Sequence, residues 1–161
     1  MKINQRMACK EIILFIIVSF TAYWFANATL WIPWKMNPWL GISIMILLVP
    51  ILWGISSYYC LARTSLSYWK KVSAIIAAIF LVIAFVSDFF FFAIWRGIPD
   101  ELYHPTTFAA YALILIMPFI LGAKLKKKNI KQKSISNKDL IIIGGLGILF
   151  FISTLYSVRY W

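Results

Sequence analysis

One carboxylate stands inside an apolar run: Asp88, in the stretch 72–95. A charged side chain in a membrane-spanning segment is costly, so it marks either a site for a proton, a cation or a substrate, or a hydrogen-bonded structural acid. Asp88 lies seven residues before Trp95, which places it roughly 10 Å from that end of a helix. Ser73, Ala77, Ala84 and Asp88 recur at helical spacing, with Phe80 or Leu81 between them. Small residues mark helix–helix contacts in membranes, so Asp88 is expected to face protein and not lipid. Polar partners at the same depth are Asn27 and Tyr23 in the first apolar segment, Tyr111 in the fourth, Tyr156 and Arg159 in the fifth, and Arg96 further along its own segment. A pair with an arginine is the least costly way to hold the charge, but the sequence does not choose among these partners.

Other residues offer less. His104, the single histidine, shares a loop with Asp100 and Glu101. Glu101 and His104 stand three apart, and such donors suit zinc or manganese. The plainer reading is a solvated loop whose acids favour a helix start, so no metal and no cofactor is assigned, with Glu101 and His104 as weak candidates. Cys9 and Cys60 are isolated thiols without the spacing of a redox or zinc motif. Gly144, Gly145 and Gly147 allow close backbone approach to a neighbouring helix. They do not form a phosphate loop, because no strand precedes them and the Walker lysine is missing. No catalytic or cofactor motif appears anywhere in the chain.

The segments that hold these residues are read from composition. Of 161 residues, 63% are hydrophobic and 13% charged, with a mean hydropathy of +0.85. Soluble domains carry about 45–50% apolar and about 25% charged residues, which excludes a water-soluble globular protein and a disordered chain. Five apolar segments cover 12–32, 39–61, 72–95, 107–123 and 140–158. A helix needs about 20 residues to cross a hydrocarbon core of about 30 Å, and strand-type alternation is absent. The expected fold is an all-α bundle of five transmembrane helices forming a single multi-pass membrane domain over 1–161. The fourth segment is the shortest and contains Pro118, so a re-entrant or tilted segment is its alternative. Pro33 and Pro38 bracket an expected link over 33–38, in which Asn37 caps the second helix and Pro38 takes its first position. Pro50 is expected to kink that helix. Ser136 with Asp139 resembles a capping box before the fifth segment.

Charge predicts orientation. Sixteen Lys and Arg face five Asp and Glu, a net charge of +11. The N-terminus (Lys2, Arg6, Lys10), the loop 62–71 (Arg63, Lys70, Lys71) and the loop 124–139 share one side of a five-span protein. The last loop carries Lys124, Lys126, Lys127, Lys128, Lys131, Lys133 and Lys138. Lys35, Arg96 and Arg159 fall on the other side. This asymmetry predicts a cytoplasmic N-terminus and an external C-terminus in a plasma (bacterial inner) membrane. It also accounts for the basic excess without nucleic acid as a partner. The lysine-rich loop is expected to attract anionic lipid, at about 1 kcal/mol per lysine near the surface. Trp31, Trp34, Trp39, Trp95, Trp161, Tyr103 and Tyr160 form one aromatic belt, and Tyr58, Tyr59, Tyr68 and Trp69 the other. Basic residues, an apolar run and Ala26-Asn27-Ala28 also outline a signal peptide. Tyr23, Trp24 and Phe25 crowd that site and argue against cleavage of 1–28.

Three functions fit these features. The first is a non-enzymatic accessory or interaction protein, working with other membrane proteins or with copies of itself. The alternative is a small oligomeric transporter or channel using Asp88. The third is an intramembrane enzyme built on Asp88 and His104, which requires those two side chains to meet.

Overall fold

Asn37 alone separates the first two helices. Its backbone is extended, and its Oδ1 accepts from Trp39 N at 2.9 Å, with Pro38 in the first turn. The computed structural model describes residues 9–128 and 132–160. Among these residues the chain is 90% helix with no strands. The long elements are α1 (Cys9–Met36), α2 (Pro38–Leu61), α3 (Trp69–Asp88), α4 (Pro105–Lys127) and α5 (Asn137–Tyr160). A π-helical segment, Phe89–Trp95, continues α3 without a break, giving five helical rods long and apolar enough to cross a membrane. Short 3-10 turns lie at Leu66–Tyr68 and Pro99–Tyr103. The chain is a multi-pass membrane protein.

Several boundaries differ from the sequence reading. The six-residue link expected over 33–38 shrinks to Asn37, because α1 runs through Pro33 to Met36. A proline so near a helix end removes one backbone donor, and Asn37 N still reaches Pro33 O at 3.0 Å. α2 runs as one helix through Pro50. The fourth segment is no re-entrant fragment. His104 caps it, Pro105 opens it, and Lys124–Lys127 prolong it past the apolar run to 23 residues, about 34 Å of helix. At α5, Ser136 Oγ accepts from Lys138 N at 3.2 Å. Asp139 pairs with Arg63 at 3.6 Å in place of completing a capping box.

α1 is the central helix, packed against α5, α2 and α3, and α4 lies on α3 and α2. One end of the bundle gathers the start of α1 and both basic loops. There Lys10 Nζ meets Asn137 Oδ1 at 3.2 Å, Lys133 N meets Ala62 O at 2.9 Å, and Gln132 Nε2 meets Arg63 O at 3.2 Å. The opposite, lysine-poor end holds Lys35, Arg96 and Glu101. α1, α3 and α5 therefore run one way, and α2 and α4 the other. The core centres on Trp24, whose ring meets Phe91 at 6.0 Å and Phe151 at 4.6 Å in edge geometry, an arrangement aromatic pairs prefer. The outer faces are as apolar as the core: Leu47, Ile51, Ile55, Ile141 and Ile148 are all exposed. In water such a surface would drive aggregation; against lipid chains it is the required one.

An open cavity around Asp88

The small-residue stripe of α3 decides where Asp88 points. Ser73, Ala77, Ala84 and Asp88 are all buried, with Asp88 8% exposed. Ser73 Oγ donates to Pro118 O of α4 at 2.9 Å, so this face lies against a neighbouring helix. Asp88 ends the regular part of α3, and the π turns begin at the next residue. Turns of this kind are rare and frequent at functional sites. They place Phe92 and Arg96, with buried Phe91, on the same cavity as Asp88.

Two phenols hold the carboxylate. Tyr23 of α1 donates to Oδ1 and Tyr111 of α4 donates to Oδ2, each at 2.5 Å. Three helices are thus joined through one side chain. Both distances lie at the short end of the range for hydroxyl hydrogen bonds. Each carboxylate oxygen has a second lone pair, so both bonds leave capacity for a further partner.

That partner has room. Asp88 stands at the wall of an open cavity of about 150 Å³ formed by α1, α2, α3 and α4. Its sides are largely aromatic: Tyr23, Trp31 and Trp34 come from α1, Trp53 from α2, and Tyr111 from α4. Arg96 and Glu101 stand at the lysine-poor end of the lining. The Arg96 guanidinium lies over the Trp31 ring at 4.4 Å and near Phe91 and Phe92 at 5.8 and 5.7 Å. Burial lowers its pKa from the ordinary arginine value, and Glu101 nearby works in the opposite direction; arginine remains a cation throughout.

The candidates from sequence separate cleanly. Asp88, Tyr111, Asn27, Arg96 and Glu101 share the cavity. Asn27 does not bond Asp88; its Nδ2 donates to Tyr23 O at 3.1 Å. Among the described residues no ion pair joins Asp88 to Arg96 or Arg159. Arg96 turns to the aromatic rings, and Arg159, like Tyr156, sits on α5 away from the lining. Of the partners named from sequence, Tyr23 and Tyr111 reach the carboxylate from neighbouring helices, and neither arginine does. His104 is exposed and caps α4, its Nδ1 lying 2.8 Å from Thr106 Oγ1. It takes no part in the cavity, so the Asp88–His104 pair required by the enzyme reading does not form. Among the described residues no three His, Cys, Asp or Glu side chains converge as a metal site.

Lys124, Lys126, Lys127 and Lys128 are exposed at the C-terminal end of α4, where the helix dipole favours cations. Lys133 is exposed in the following link. Lys131 lies outside the described residues, as do Lys2, Arg6 and Trp161. Of the three glycines of α5, Gly147 makes the close approach: a Cβ there would fall 2.6 Å from Thr21 Oγ1, whereas at Gly145 it would meet nothing. Sequence reasoning missed the α2 wall of Met45, Val49 and Trp53, which bears no polar mark in an apolar segment. Comparison with protein-family models, with curated proteins and with solved structures finds no match.

Proposed function

We propose that this membrane protein is a small carrier-type binding protein that takes its ligand into the helix bundle at Asp88. The observation that supports it is a buried carboxylate, oriented by two tyrosines, at the wall of an open, aromatic cavity. Ligand sites are mostly apolar hollows with a few convergent polar groups, and an acid within a span is a functional candidate by default. The same two hydrogen bonds favour a second reading, a non-enzymatic accessory or interaction protein in which Asp88 only fastens α1, α3 and α4 together. The enzyme reading loses the Asp88–His104 pair on which it was built.

Placement follows from the charge asymmetry. In this proposal the lysine-rich end is cytoplasmic, in a bacterial inner membrane. Lys124, Lys126, Lys127, Lys128 and Lys133 there lie against anionic lipid, and the cavity opens on the external side. Cysteine mapping in intact cells tests this with a membrane-impermeant thiol reagent. Single cysteines at Leu102 and Ala110, made in a Cys9→Ser background, are expected to react. Ala110 lines the cavity. A cysteine at Ala77, which is 2% exposed, is expected not to react. Reaction at 102 without reaction at 110 means a closed cavity and overturns the carrier reading. Reaction of native Cys9 from outside overturns the orientation.

A further inference from the structure

We infer that the cavity selects an organic cation: a protonated or quaternary amine, or a similar onium centre, carrying apolar groups. The inference rests on the carrier reading and narrows it to a ligand class. Charge is the first ground. The charged groups of the lining are Asp88, Glu101 and Arg96, two acids and one base. Arg96 is not paired with Asp88, so among the described residues the deep carboxylate has no cation of the protein's own. The walls are the second ground. Tyr23, Trp31, Trp34, Trp53 and Tyr111 line the same cavity as Asp88, and ring faces attract cations that are weakly hydrated. At the mouth the Arg96 guanidinium already lies over Trp31 at 4.4 Å, which leaves Tyr23, Trp34, Trp53 and Tyr111 for a ligand.

Competing ligands fit less well. A hard metal ion needs about six to eight oxygen ligands; the two hydroxyls beside Asp88 are already donating to it, and among the described residues no three His, Cys, Asp or Glu side chains converge. An anion would meet Asp88 within and Glu101 beside Arg96.

Two probes of one shape and opposite charge decide the matter: tetraphenylphosphonium and tetraphenylborate. Equilibrium dialysis against the purified full chain in mild detergent measures both. Tetraphenylphosphonium is expected to bind saturably, at least about tenfold tighter than the borate. Asp88→Asn should weaken phosphonium binding by at least about tenfold, and Trp53→Leu, which leaves the carboxylate in place, by about threefold or more. Equal binding of the two ions that is lost in Asp88→Asn overturns the cation class and leaves Asp88 as the anchor of another ligand. Binding of phosphonium that is unchanged in Asp88→Asn overturns both the class and the carrier reading. Failure of the phosphonium to bind overturns the class, and the carrier reading then stands or falls on the cysteine map.

Discussion

Asp88→Ala is expected to destabilise the bundle by about 2–5 kcal/mol, because each buried hydroxyl left without a partner costs about 1–3 kcal/mol. Tyr23 is 6% exposed and has no route to water except through the cavity. Tyr111 is half-buried and better placed to be rescued by solvent. Asp88→Asn is milder. Its carbonyl oxygen still accepts from one tyrosine, but its amide nitrogen cannot accept from the other, which sets the loss at about 1–2 kcal/mol. Thermal unfolding of the purified variants should rank wild type, Asn and Ala in that order. The Ala variant in a Tyr23→Phe, Tyr111→Phe background should recover much of the loss, because no hydroxyl is then left unpaired. An Ala variant as stable as wild type would mean that the two 2.5 Å hydrogen bonds contribute no net stability.

Gly122→Val should separate α3 from α4. A Cβ at Gly122 would stand 2.5 Å from Ser73 Oγ and 2.9 Å from the Trp69 ring. Ser73 cannot turn aside freely, since its hydroxyl donates to Pro118 O. Overpacking of this kind costs about 1–3 kcal/mol or more. The effect should also reach the cavity, because α3 and α4 carry Asp88 and Tyr111. Gly147→Val is the matched control: it crowds Thr21 and Phe20 where α5 meets α1, yet α5 contributes nothing to the lining. Both variants should unfold at lower temperature, but only Gly122→Val should lose tetraphenylphosphonium binding. Loss of binding in both would tie the cavity to the packing of α5, contrary to the geometry described above.

The contrast between spans and partners shows which physics leaves a trace in sequence. The five helices are legible because lipid demands about 20 apolar residues in a row. Their ends are not, since a proline in a last turn and lysine stems at a helix terminus are both tolerated. The direction of Asp88 was legible from Ser73, Ala77 and Ala84, as their spacing is a packing signature. Its partner was harder to choose. Electrostatics alone favours Arg96, but a guanidinium also finds a good site on an aromatic face, and Trp31 supplies one. Tyr23 and Tyr111 stand among several polar residues of similar depth, and which two converge depends on helix rotation. The α2 wall and the π turns after Asp88 were not legible. Trp53 among apolar neighbours has no pattern of its own, and four successive phenylalanines from Phe89 carry no mark of a widened turn.

The claim that Asp88 is a ligand-accessible carboxylate, and not merely a fastening, is tested most directly by chemical modification of that group. The protein in lipid vesicles is treated with dicyclohexylcarbodiimide, a membrane-soluble reagent for carboxyl groups, and the modified residues are identified by mass spectrometry. Asp88 should be modified, and excess tetraphenylphosphonium should protect it. Modification of Glu101 at the mouth with Asp88 untouched would contradict the account.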